Sequence, residues 1–236
     1  MNDHYRAALN QAIHWIEEQL HPVAIIASGS IIRGNPNANS DFDIFVIHEA
    51  PFRQKIHRFF NGIPCEIFLN NIAQVYRYLE EEVKRCRPST AHMLTTGTLI
   101  KGGDNPAIQQ LLLDVKAYVH KAPVLTEQQL TLHRYTIVTL YEDATDLLDT
   151  NEVTTLYFLN KAVAECIDYF FLRNQTVLPR AKERIQHIEA QAPELGQLIT
   201  SYYLQQDTRE KHAIAGLLVK ELTAHTGFFE WETLPE

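Results

Sequence analysis

Two adjoining segments, Ala27-Ser28-Gly29-Ser30-Ile31-Ile32-Arg33-Gly34 and Ser40-Asp41-Phe42-Asp43-Ile44-Phe45-Val46, decide how this chain is read. The run 23–27, opened by Pro22 and rich in β-branched and apolar residues, has the character of a buried strand. It is expected to end at Gly29, with a short helix beginning near Ser30. Glycine lets a backbone approach a ligand closely, and a helix start presents unpaired N–H groups toward it. Gly29 and Ser30 are therefore candidate phosphate-binding residues, although strand-glycine-serine-helix segments also occur without a ligand.

The second segment sharpens the reading. Side chains on a strand alternate between faces, so in a strand over 42–47 Asp41 and Asp43 share one face while Phe42, Ile44 and Val46 share the other. The apolar trio can be buried. Two carboxylates on one face repel each other unless one is protonated or a cation lies between them. Magnesium commonly combines one or two carboxylates with substrate phosphates. A bare Asp-x-Asp also fits two solvated acids at a strand start, and motifs this short recur by chance. A third acid narrows the choice. Glu66 stands inside the apolar run Ile63-Pro64-Cys65-Glu66-Ile67-Phe68-Leu69, where an ionised carboxylate is costly without a partner. It lies beside the aspartates if the two strands are neighbours; the competing reading is an edge-strand glutamate facing water. Three converging carboxylates can hold metal and activate a hydroxyl.

Around this kernel the elements are expected as follows. Residues 3–20 carry Ala8, Ile13, Ile16 and Leu20 at helical spacing. Asn61-Gly62 is a tight hairpin signal, because both residues tolerate positive φ, and its second arm is 65–69. Asn70 or Asn71 caps a helix running to about Cys86, and Asn105-Pro106 opens another with proline in its first turn. The junction His120-Lys121-Ala122-Pro123 reads as a linker. Beyond it, Thr126-Glu127-Gln128-Gln129 has a capping-box pattern, and Leu130, Ile137, Leu140, Ala144, Leu147 and Leu148 follow at helical spacing. Further helices are expected at about 152–173, 181–191, 194–205 and 208–225. The expected architecture is α+β: a mixed-sheet domain over 1–121, then an all-α helical bundle over 126–236.

Composition bounds the partners. The chain of 236 residues is 45% apolar and 21% charged, an ordinary globular mix. Its net charge of −8 disfavours a long nucleic acid, whose non-specific grip depends on a strong basic stripe. The one local basic cluster is Arg180, Lys182 and Arg184, which reads as a solvated helix face. Apolar runs are far shorter than the ~20 residues a bilayer demands. The first residues lack a signal-peptide pattern, so a cytoplasmic protein away from membranes is expected. Cys65, Cys86 and Cys166 are isolated and odd in number, which argues for buried reduced thiols and against zinc or a disulfide framework.

Gly29-Ser30, Asp41-x-Asp43 and the later Glu66 together resemble the motif of the DNA polymerase β-like nucleotidyltransferase superfamily. Within it, the chain resembles the kanamycin nucleotidyltransferase-like group, in which a catalytic domain precedes a helical one. The strong likeness covers 23–69; a weaker one covers Thr98 to Gly103, the following helix and the bundle from 126 onward. The resemblance implies that Gly29 and Ser30 hold the triphosphate, with Arg33 a further contact. It implies Asp41 and Asp43 as magnesium ligands, with Glu66 completing the metal site or assisting deprotonation. A helical-domain carboxylate serves as general base in antibiotic-modifying relatives, which falls near Asp143, with Glu142 the neighbouring candidate. Ile31-Ile32 is bulkier than the small or polar residues often found there. The implied reaction transfers a nucleoside monophosphate, AMP in the first instance, from ATP or another nucleoside triphosphate to the hydroxyl of a small molecule. An aminoglycoside-like or lincosamide-like antibiotic is the implied acceptor class, and a homodimer the implied assembly. The alternatives are a protein-modifying or antitoxin-type transferase and a nucleotide-binding module without catalysis.

Overall fold

The computed structural model describes residues 1–122 and 124–233. It divides into two compact units, Met1–Lys121 and a second that begins at Ala122. Pro123 of the expected linker, and 234–236 at the end of the expected bundle, lie outside the described residues.

The first unit opens with α1 (Asp3–Leu20), whose N-cap Asn2 accepts the Tyr5 N–H at 2.9 Å. Five strands follow: β1 (Ala24–Ser28), β2 (Phe42–Ile47), β3 (Gln54–Phe60), β4 (Ile63–Asn70) and, after two helices, β5 (Thr98–Lys101). The sheet order is β3-β4-β2-β1-β5. Only β2 and β4 run parallel; the remaining neighbours are antiparallel, so the sheet is mixed.

Strand alternation sorts the side chains into two cores. Phe42, Ile44 and Val46 join Cys65, Ile67 and Leu69 against the buried stripe Ala8, Leu9, Ala12 and Ile16 of α1. Phe45 and Ile47 join the opposite core, built with Val75 and Leu79 of α2 (Ile72–Lys84), Ala91 and Leu94 of α3 (Ser89–Thr96), and Ile108, Leu111 and Val115 of α4 (Pro106–Tyr118). Burying one such side chain contributes roughly 1.5–3 kcal/mol. A one-residue slip of β2 would therefore forfeit several of these and drive Asp43 into the α1 core, so the packing itself fixes which way the acids face.

The hairpin forms at Asn61-Gly62, with φ of 46° and 77°, and pairs Phe60 with Ile63. Asn71 caps α2 through a reciprocal capping box with Gln74. The helix stops at Lys84, short of Cys86, which adopts φ 55°. α3 was not expected: it is brief, and Pro88 at its N-cap offers no side-chain bond. The Glu82 carboxylate takes over that role, accepting the Thr90 N–H at 2.8 Å and its hydroxyl at 2.7 Å. Asn105 caps α4, with Pro106 in the first turn.

The second unit is helical among its described residues: α5 (Glu127–Leu147), α6 (Glu152–Arg173), a 3-10 turn at Ala181–Glu183, α7 (Arg184–Gln191), α8 (Pro193–Leu204) and α9 (Thr208–Thr223). Thr126 and Gln129 form the capping box of α5. α6 packs against α5, α7 and α9 and buries Leu159, Ala162, Val163, Cys166 and Phe170. The basic cluster is partly neutralised in place, since Arg180 pairs with Glu183 and Arg184 with Asp168. All three cysteines are free and buried. No helix among the described residues is long and apolar enough to cross a membrane.

Candidate active site

The acids occupy one end of the central strands. Asp43 is the second residue of β2, and Asp41 stands just before that strand begins. The parallel register pairs Asp43 directly with Glu66 of β4, so both project from the same face. β4 is an interior strand flanked by β2 and β3, which removes the edge-strand reading of Glu66. Asp43 and Glu66 are both half-buried.

Their crowding has an electrostatic signature. Burial first, then the charge of Asp41 and then that of Glu66, push the Asp43 carboxyl from 3.8 up to about 6. Arg33 and Lys55 act in the opposite direction without cancelling the rise. A buried acid disfavoured by two neighbouring acids is an arrangement that a hard divalent cation relieves. The donor set therefore fits magnesium chemically. Among the described residues, however, no three acidic, histidine or cysteine side chains are gathered closely enough to enclose an ion. Glu66 is held elsewhere: Lys55 Nζ lies 2.8 Å from Oε2 and His57 Nε2 3.4 Å from Oε1.

Facing the acids is the turn after β1. The expected short helix near Ser30 is instead a hydrogen-bonded turn over 30–34. Arg33 N–H donates to Gly29 O, Gly34 N–H to Ile31 O and Asn35 N–H to Ser30 O. Gly34 takes φ 82°, which ends the turn before a helix can propagate. The N–H groups of Ser30, Ile31 and Ile32 have no backbone acceptor among the described residues, so the turn keeps the donors that a helix start would have offered. Ile31 is 2% exposed and packs into the α1 core, with Ile32 partly buried beside it. Their bulk anchors the turn from below. The Ser30 hydroxyl donates to Ser40 Oγ at 2.7 Å, and the Asn37 N–H reaches the same oxygen at 2.8 Å. Ser40, which sequence reasoning passed over, thus ties the loop 35–40 to the turn. Arg33 Nε is buried with no hydrogen-bond partner among the described residues, an unsatisfied donor on a side chain whose charge reaches Asp43.

Gly29 is the point of closest approach. Its φ is 98°, and a Cβ there would sit 3.1 Å from Asp41 O and 3.2 Å from Asp43 Oδ2. Gly29→Ala is accordingly expected to destabilise the protein by about 1–3 kcal/mol, combining backbone strain with the contact. Urea unfolding measures this, and an unchanged midpoint would show that the turn has room to relax.

Lys55 and His57 are the site residues that sequence reasoning missed. Counting back from the Asn61-Gly62 turn through a two-residue hairpin places His57 opposite Glu66 and Lys55 opposite Phe68, as the register shows. Asp143 and Glu142 lie on α5 in the second unit, both half-buried. Glu142 Oε1 accepts the Phe228 N–H at 2.9 Å, whereas Asp143 makes no hydrogen bond or ion pair with any described residue.

Comparison with known proteins finds likenesses to nucleotidyltransferases. Residues 10–91 match a family model described as a nucleotidyltransferase domain. The match contains Gly29, Ser30, Arg33, Asp41, Asp43, Lys55, His57 and Glu66, and ends before the second unit begins. The chain also resembles the crystal structure of a nucleotidyltransferase-like protein from Exiguobacterium sibiricum 255-15, with a TM-score of 0.56 and 15% sequence identity. That alignment covers 92% of this chain and 74% of the other. No curated protein sequence matches the chain.

Proposed function

We propose, from the nucleotidyltransferase domain carried by residues 10–91, that this chain transfers a nucleoside monophosphate, AMP in the first instance, to the hydroxyl of a small molecule with magnesium as cofactor. Nucleotidyl transfer from a nucleoside triphosphate is the general activity of the domain. The choice of acceptor and metal is inferred from the site and from the likeness to the kanamycin nucleotidyltransferase-like group.

The observation that carries the reading is Asp43: a half-buried carboxyl, raised to about 6 among Asp41 and Glu66, with the Gly29 backbone so close that a Cβ there would crowd its Oδ2 at 3.2 Å. Asp41, Asp43 and Glu66 would hold the magnesium. When bound, it would neutralise charge on the triphosphate and on the departing pyrophosphate. The chain's remaining work is positioning. The turn at Gly29 and Ser30 offers its free N–H groups to phosphate oxygens, and Arg33, whose charge reaches Asp43, would add a further contact to the same anion. Fixing the α-phosphorus in line with an acceptor oxygen turns a bimolecular step into an effectively unimolecular one. The acceptor oxygen–phosphorus bond forms, the bond to the β-phosphate bridge breaks, and the hydroxyl proton passes to a carboxylate, for which Asp143 is the proposed acceptor. A cationic small molecule such as an aminoglycoside suits the net charge of −8.

Pyrophosphate release from nucleoside triphosphates, measured with magnesium across a panel of hydroxyl-bearing small molecules, tests the proposal. Acceptor-dependent release is the expected result. Stabilisation by magnesium–nucleotide with no release for any acceptor would leave a binding module, and labelled AMP on a co-purified polypeptide would point to a protein acceptor.

A further inference from the structure

We propose that Lys55 is a built-in stand-in for the metal: a positioning residue whose ammonium holds Glu66 in the metal-free protein and yields when a divalent cation binds. The inference rests on the reading of Asp41, Asp43 and Glu66 as magnesium ligands.

The hairpin register sets the geometry. His57 lies directly opposite Glu66, and Lys55 opposite Phe68, two residues farther along β4 and on the same face as Glu66. Lys55 Nζ is 2.8 Å from Glu66 Oε2 and 5.0 Å from the Phe68 ring centroid, so it is held by a carboxylate and an aromatic face together. Its charge extends to Asp43 on the next strand, where it opposes the repulsion from Asp41 and Glu66. In the absence of metal, a carboxylate cluster requires positive charge from somewhere, and β3 supplies it. The hold is reversible by construction. The Lys55 side chain is 42% exposed and that of Glu66 27%, and exposed pairs of this kind are weak. A divalent cation competing for the same oxygens can displace a single ammonium on a flexible stem, and Phe68 remains to receive that stem. His57, 61% exposed at 3.4 Å, is the looser second contact.

Removing the competitor should favour the metal. Titration calorimetry with Mn2+, without nucleotide and near pH 8, where histidine is normally neutral, compares the wild type with Lys55→Met and Lys55→Arg. Lys55→Met is expected to bind Mn2+ about two- to fivefold more tightly, the equivalent of one exposed ion pair, and Lys55→Arg to return to the wild-type value. The melting temperature of metal-free Lys55→Met should fall, so that Mn2+ raises it by more than in the wild type. Unchanged or weaker Mn2+ binding by Lys55→Met, with the wild type binding normally, would overturn the stand-in role alone. If the wild type binds no Mn2+ with or without nucleoside triphosphate, the metal assignment fails and the stand-in falls with it.

Discussion

Asp43→Asn is expected to lower nucleotidyl transfer by about a thousandfold or more while raising the melting temperature of the metal-free protein near pH 8. The loss follows from removing the central charge of the site: an amide keeps the size of the side chain but cannot match a carboxylate toward a hard cation. The gain in stability follows from the same charge. The Asp43 carboxyl titrates at about 6 in the folded protein, against 3.8 as the ordinary value. A raised acid binds its proton more tightly folded than unfolded, so folding is disfavoured once that proton is gone. The penalty is absent below about pH 4, grows between about 4 and 6, and is complete above that. Asparagine never carries the charge, so it stabilises at pH 8 and changes little at pH 4. Thermal melts at the two pH values, without and with magnesium, check each part. Magnesium should raise the wild-type melting temperature and leave that of Asp43→Asn nearly unchanged. A variant that melts lower than the wild type at pH 8 without metal would show that Asp43 is stabilised rather than strained where it sits.

The same tension explains which parts of the site could be read without coordinates. Alternation along 42–47 is a local property, and it placed Asp43 opposite the apolar trio because Phe42, Ile44 and Val46 had to be buried. The neighbourhood of Glu66 is different. Asn61-Gly62 fixes how β3 meets β4, but nothing local says that β4 lies parallel to β2; that pairing depends on α1 and the helices α2 to α4 covering opposite faces of the sheet. Glu66 could therefore be named as a candidate ligand only on the condition that the strands were neighbours. Lys55 and His57 were within reach of the hairpin count, yet an exposed strand of basic and polar residues carries little periodic signal. The turn at Ser30 was misread as a helix start because glycine-serine before apolar residues fits both. The deciding residue is Gly34, whose positive φ closes the segment after one turn. α3 and β5 escaped for a related reason: each is short, and α3 takes its N-terminal bonds from Glu82, distant in sequence from any cap position.

Asp143→Asn is expected to lower kcat by about two to four orders of magnitude while leaving the affinity for magnesium–nucleotide intact, the pattern of a lost general base. The structure separates this residue from its neighbour. Glu142 is committed to the backbone of Phe228, in a segment that also sets the Trp231 ring 5.2 Å from that of Tyr135 on α5. A carboxylate that accepts a backbone N–H is less free to take a proton from a substrate, whereas Asp143 has no such obligation among the described residues. Glu142→Gln preserves the acceptor oxygen for Phe228 and should leave kcat within a few-fold of the wild type. Glu142→Ala removes that oxygen and should act on stability, by about 1 kcal/mol for one hydrogen bond, more than on chemistry. The split between kcat and nucleotide affinity distinguishes a base from a residue that merely shapes the fold: kcat should collapse in Asp143→Asn and survive in both Glu142 variants, with magnesium–nucleotide affinity unchanged in all three. If Glu142→Gln loses turnover and Asp143→Asn keeps it, the proton goes to Glu142, and the bond to Phe228 must open during each turnover.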